Sequence, residues 1–173
     1  YFICGDIGGT KTWLQALQSN DGALQVRYEQ QYDSRTYAGF SDVLRDFLDK
    51  AGMNHADCSP AAACLAVAGP VVAQWAKLTN LPWLMDAAAI AAEFSIPNVK
   101  LINDFEAAAL GIEMLPESDL VTLQPGKPQT QGVRVVLGAG TDMGVAWLIW
   151  QGGRYLPLPT EAGHMNFAPA NKL

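Results

Sequence analysis

The feature that most constrains this chain is a pattern that occurs twice. Near the start, Phe2-Ile3-Cys4-Gly5-Asp6-Ile7 reads as a short apolar strand, Gly8-Gly9-Thr10 as a tight turn, and Trp13-Leu14-Gln15-Ala16-Leu17 as the returning strand. Asn20-Asp21-Gly22 signals a further hairpin turn, and Val26 to Tyr32 a third strand. From residue 133 the order repeats. Val133-Arg134-Val135-Val136-Leu137 leads into Gly138-Ala139-Gly140-Thr141-Asp142-Met143-Gly144, then a strand Val145 to Trp150, a turn Gln151-Gly152-Gly153-Arg154, and a strand Tyr155 to Leu158. Positive φ at a tight turn is reason enough for glycine there. The backbone N–H groups of such turns can also cradle phosphate oxygens. Two hairpins with the same Gly-Thr ending could hold a polyphosphate from both sides. Thr10 could add a hydroxyl donor, and Asp6 could hold a hydrated Mg²⁺, which keeps several waters and takes few carboxylates. The first turn is not a Walker loop, because it lacks the Gly-Lys-Ser/Thr ending. It is not a dinucleotide fingerprint, because a strand follows where a helix should.

Between the repeats lies an alternating pattern. Phe40, Val43, Leu44, Phe47 and Leu48 have helical spacing on one face, with Ser41 placed to cap the start and Gly52 the end. Ala61 to Ala68 reads as a buried strand ending at Gly69-Pro70, followed by a second short strand around Val71 to Leu78. Asp86 to Phe94 is an alanine-rich helix, Val99 to Ile102 a strand, and Phe105 to Ile112 a further helix. The order βββαβαβα, plus a small hairpin, predicts an α/β sheet covered by helices. Met114 to Gln131, with three prolines, reads as a connector. The expected division is a first domain over 1–113, and a connector with the first strands of a second domain over 114–173.

Asn103 and Asp104 stand at the junction of a strand and a helix. Either residue is a favoured helix cap. In open α/β sheets ligands bind outside the carboxyl ends of strands, so Asp104 is also a candidate general base. Glu161 and His164 lie in a polar loop around Gly163. Three readings stay open for them: an ordinary loop, a thin metal site, or hydrogen bonding to a polyhydroxylated substrate.

Half of the residues are hydrophobic, so a packed core is expected. The net charge of −6, with eleven scattered Lys and Arg, argues against a nucleic-acid surface. No signal-peptide pattern and no bilayer-length apolar run is visible. Cys4 and Cys64 sit in apolar runs and are expected to be buried thiols; Cys58 is the third, and no spacing indicates zinc or a disulfide framework. A reducing, cytoplasmic setting fits.

Six segments then carry a family resemblance: Gly5-Asp6-Ile7-Gly8-Gly9-Thr10, Ala66-Val67-Ala68-Gly69-Pro70-Val71, Leu78-Thr79-Asn80-Leu81-Pro82-Trp83, Ile102-Asn103-Asp104-Phe105-Glu106-Ala107, Leu137-Gly138-Ala139-Gly140-Thr141, and Glu161-Ala162-Gly163-His164-Met165-Asn166-Phe167-Ala168-Pro169. In order and spacing they resemble the bacterial glucokinase family, within the superfamily of hexokinase, actin and the heat-shock chaperone ATPases. The resemblance implies a ribonuclease H-like sugar-kinase fold: α/β, a mixed sheet flanked by helices, the second domain only partly present. It implies ATP-dependent phosphorylation of glucose at the 6-hydroxyl, the first step of glycolysis, with Mg²⁺ and, for the full-length protein, a homodimer. Asp104 would be the base, and Asn103, Asp104, Glu161 and His164 would bind the sugar. Asp6, Gly8, Gly9 and Thr10 would form the first phosphate loop, with Asp6 near Mg²⁺ through water. Gly138, Gly140 and Thr141 would form the second.

The sequence departs from the family pattern at several positions. Lys11 stands where Asn is usual, Asp142 follows Thr141 where Gly is common, Ala162 replaces the first Gly of Gly-Gly-His, and Asn166 replaces an Asp. Asn103, Asp104, Glu161 and His164 are in place. The family's chains are much longer, so this chain reads as an N-terminal fragment expected to bind ATP poorly and to turn over little. The alternatives are a non-catalytic sugar-binding regulator on the same fold, or a kinase for another hexose.

Overall fold

A computed structural model describes residues 1–20, 22–54, 58–139 and 143–165. The chain divides into two compact units, Tyr1–Asp104 and Phe105–Leu173. In the first, β1 (Phe2–Ile7), β2 (Lys11–Asn20) and β3 (Ala23–Asp33) precede helix α1 (Phe40–Lys50) and β4 (Ala62–Val67). Then come β5 (Val71–Val72), β6 (Trp75–Lys77), β7 (Leu84–Asp86), α2 (Ala87–Phe94) and β8 (Asn98–Asn103). The main sheet runs β3-β2-β1-β4-β8, antiparallel through the meander and parallel from β1 to β4 to β8. It is the mixed α/β sheet that the element order predicts. The parallel pairs require crossovers, and α1 and α2 lie in those crossovers.

The register sorts the sheet into two faces. Ala16, Ile3 and Ala63 form one row, and Leu14, Gly5, Leu65 and Leu101 the next. All of these side chains are buried, and Val43, Leu44 and Phe47 of α1 are fully buried in the same cluster. Phe47 meets Tyr28 of β3 with ring centroids 5.3 Å apart, which places α1 on this face. Each of the larger side chains, such as Ile3, Leu14, Leu65, Leu101 and Phe47, contributes about 1.5–3 kcal/mol by leaving water. Gly5 has no room for a side chain, because a Cβ there would stand 2.7 Å from Leu14.

The other face carries the row Gln15, Cys4, Cys64 and Lys100. Both cysteines are half-buried rather than fully buried, and with Phe2, Leu17, Ala87 and Ala91 they line an open groove. Burial, and then the neighbouring Cys64, hold the Cys4 thiol above its ordinary range.

Two local expectations change. The helix α1 starts at Phe40, whose ring is buried, so Gly39 occupies the cap position and Ser41 instead donates to Glu93 at 2.7 Å. The stretch Val71 to Leu78 is a hairpin rather than one strand. Ala73 and Gln74 adopt φ of 49° and 64° between β5 and β6, as a tight hairpin turn requires. The Gln74 side chain then pairs with the edge of β8, accepting from Leu101 N at 2.9 Å and donating to Leu101 O at 3.3 Å. A side-chain amide thus satisfies an exposed strand edge.

In the second unit β9 (Arg134–Ala139), β10 (Met143–Gln151) and β11 (Arg154–Thr160) form an antiparallel sheet in the order β11-β10-β9. The helix α3 (Asp104–Ile112) starts at the division and packs Ala109 and Phe105 with Val136, Ala146 and Leu148. Residues 114 to 131 hold only one short 3₁₀ turn, Glu117–Asp119, as expected of a connector. No helix among the described residues is long and apolar enough to cross a membrane.

Candidate active site

Because β1, β4 and β8 are parallel and in register, Ile7, Val67 and Asn103 end at one edge of the sheet. Ligands of open α/β sheets sit at such an edge. Asp6 is the next-to-last residue of β1, and Asp104 directly follows β8. Their charges meet. Partial burial, and then the Asp104 carboxylate, raise the Asp6 pKa above its ordinary 3.8. Two mutually repelling carboxylates are a suitable seat for a divalent cation. Among the described residues no cluster of three or more His, Cys, Asp and Glu is present, and Asp6 and Asp104 are the carboxylates that could hold a hydrated cation here.

This repulsion predicts a stability effect. A carboxyl whose folded pKa is raised costs the folded state at any pH above that pKa, and costs nothing below the unfolded value, where both states are protonated. Asp6 is exposed and its repulsion is screened by water, so Asp6→Asn is expected to raise Tm only slightly, by about 1 °C or less, at pH 7. The gain should fade as pH falls towards 3.8. Calorimetry across pH 3–7 checks it, and a gain that grows in acid would contradict it.

The turn after β1 is held from below. Gly8 N donates to Lys11 O at 2.9 Å, so this N–H closes the hairpin. Gly9 needs to be glycine, because a Cβ would stand 2.8 Å from Asn80 Cβ. Ser34, fully buried, donates from Oγ to Gly8 O at 2.8 Å and shares a hydrogen bond with Thr12 Oγ1 at 2.9 Å, while Ser34 N donates to Thr10 O at 3.0 Å. Arg35 Nη2 donates to Thr10 Oγ1 at 3.2 Å. Sequence reasoning missed Ser34 and Arg35. They lie in a polar turn whose only signal is Asp33, which caps it by accepting from Arg35 N at 3.1 Å. Ser34→Ala would leave the Thr12 hydroxyl without this buried partner and release Gly8 O. A loss of about 1–3 kcal/mol is expected, measurable by urea unfolding.

Asn103 donates from Nδ2 to Gly69 O at 3.0 Å, which orients its amide at the same edge. Gly69 sits at φ 152°, and a Cβ there would stand 3.0 Å from Lys77 O. The structure thus brings Asp6, Gly8, Gly9, Thr10, Asn103 and Asp104 to one end of the first unit's sheet.

The remaining candidates belong to the second unit. Gly138 and Gly144 pair directly across β9 and β10, and the Phe105 ring lies on both of them. Gly140, Thr141 and Asp142 lie outside the described residues, as does Asn166. Glu161 precedes and His164 ends a 3₁₀ turn, Ala162–His164, with Oε2 and Nε2 3.5 Å apart and both side chains about two-thirds exposed. A Cβ on Gly163 would collide with Met143 O, so the turn rests directly on the backbone of β10.

The family model described as Glucokinase matches residues 3–173. This chain belongs to the glucokinase family. It is 46% identical to a glucokinase of Trichormus variabilis, over 99% of this chain and 49% of that protein. It is 34% identical to a glucokinase of Saccharophagus degradans, over 99% of this chain and 53% of that protein. The chain thus spans about half the length of the curated glucokinases it matches. Among solved structures, a glucokinase from an Antarctic psychrotroph superposes with a TM-score of 0.81 at 28% identity, covering 98% of this chain and 52% of that one. A Balamuthia mandrillaris glucokinase in complex with glucose shares the fold, with a TM-score of 0.70 at 24% identity, over 98% of this chain and 50% of the other. The glucokinase-like α/β sheet is therefore the observed fold as well as the expected one.

Proposed function

We propose that this chain is the N-terminal part of an ATP-dependent glucose kinase that makes glucose 6-phosphate. The observation that carries the proposal is the carboxylate pair at the sheet edge, Asp104 beside Asp6, next to the Gly8–Thr10 turn. Asp104 accepts the proton of the sugar 6-hydroxyl as that oxygen attacks the γ-phosphorus. Asn103, held by Gly69 O, and Glu161 and His164 hydrogen-bond the other sugar hydroxyls. Thr10 Oγ1 accepts from Arg35, which leaves the Thr10 hydroxyl proton to donate to a phosphate oxygen. Gly9, Gly138, Gly140 and Thr141 complete the phosphate contacts. Asp6 would help to hold a hydrated Mg²⁺, which would neutralise charge on the phosphates. Phosphoryl transfer needs mainly positioning and charge stabilisation, and these residues supply both. A cytoplasmic homodimer of the full-length protein belongs to the same reading.

The test is ATP-dependent phosphorylation of a hexose panel by the full-length protein. Glucose turnover above that of mannose, fructose and galactose supports the reading. A folded protein that phosphorylates none of them overturns it, and a preference for another hexose overturns its substrate.

A further inference from the structure

We propose that Cys4 and Cys64 form a dithiol site that holds one soft, thiophilic centre as a bridging bis-thiolate. The two residues are direct partners on neighbouring parallel strands, Cys4 on β1 and Cys64 on β4. In-register partners put their side chains on the same face, here the one opposite α1. Both line the open groove of about 910 Å³ bordered by Phe2, Leu17, Ala87 and Ala91. Neither is sealed in the core. A reagent can therefore reach both sulfurs from one side.

The spacing decides what fits between them. Neighbouring strands lie about 4.8 Å apart, and the side chains of an in-register parallel pair run side by side. A disulfide needs Cβ atoms about 3.8 Å and sulfurs about 2.05 Å apart, so the two side chains would have to converge for direct oxidation. Two thiolates sharing one tetrahedral centre, with bonds of about 2.3 Å, stand roughly 3.8 Å apart. That separation is close to what the strands impose. Lys100 continues the row next to Cys64 and also lines the groove. Soft centres bind the thiolate, so capture must displace the Cys4 proton that burial holds in place, and binding should strengthen as pH rises.

Phenylarsine oxide is the probe. Its arsenic stays trivalent: two As–S bonds form, the As=O bond breaks, and the oxygen leaves as water with both thiol protons. Titrating the reduced 173-residue chain should give one arsenic per chain by intact mass and consume two of the three thiols, leaving Cys58 reactive. Peptide mapping should find arsenic bridging the Cys4 and Cys64 peptides. Cys4→Ala and Cys64→Ala should each weaken binding by about 10²-fold or more, since a second attachment multiplies affinity by 10²–10⁴. Cys58→Ala should bind as before. No adduct, or an adduct bridging Cys58, overturns the proposal. Mapping on the unaltered chain decides the matter even where a variant fails to fold.

Discussion

Asp104→Asn in the full-length protein is expected to lower glucose phosphorylation by about 10²- to 10⁴-fold, the range a positioned general base supplies. The substitution keeps the shape of the side chain and its capacity to hydrogen-bond, so the junction of β8 and α3 should persist. It removes the site that receives the proton. The KM for glucose should change far less than kcat, because the lost interaction belongs to the transition state. A second readout comes from Asp6. Asp104 is the smaller of the two causes that raise its pKa, after burial. In the variant the Asp6 pKa should fall part of the way towards its ordinary value, seen by NMR titration of the carboxyl carbon. A variant that keeps its rate while Asp6 responds would show that the carboxylates are neighbours and that Asp104 is not the base. Loss of rate without any change in Asp6 would point to a misplaced strand end.

The fold was legible because its elements carry local signals. The apolar runs of β1 and β4, the helical spacing from Phe40 to Leu48, and Asp104 after a β-branched strand each read directly from neighbouring residues. What escaped was set by contacts distant in sequence. Ser34 looks like any turn serine until β2 and β3 pair and put its hydroxyl against Thr12 and Gly8 O. Cys4 and Cys64 look buried because each sits in an apolar run, yet nothing local says that their face of the sheet carries an open groove. Gly138 read as a phosphate-loop glycine from its motif. Its packing role depends on Phe105, more than thirty residues earlier, and no local pattern carries that pairing.

Gly144→Ala is expected to destabilise the second unit more than any other single methyl added among its described glycines except Gly163, and the reason is the floor beneath Phe105. Gly144 and Gly138 face each other across β10 and β9, so two adjacent positions of the sheet carry no side chain. The Phe105 ring fills that space. A Cβ at Gly138 would stand 2.6 Å from Phe105 Cζ, and one at Gly144 would overlap Cε2, Cζ and Cδ2 outright. The ring cannot simply move aside, since it packs with Ala109, Ala146 and Leu148, the small buried cluster of this unit. Overfilling a packed site costs about 1–3 kcal/mol or more, a large share for a cluster this small. Urea unfolding gives the value, with Gly126→Ala as the reference. Gly126 has open space around its Cβ and should change stability by less than about 0.5 kcal/mol. The decisive arm is the double variant. Phe105→Ala alone loses the ring's packing, but it also removes the obstacle, so adding Gly144→Ala to it should cost little. Strictly additive losses would mean that the methyl at 144 meets something other than Phe105. Rescue would establish that the glycines flanking this hairpin are kept small by an aromatic ring beside Asp104 in sequence, which couples the second glycine turn to the residue following the candidate base.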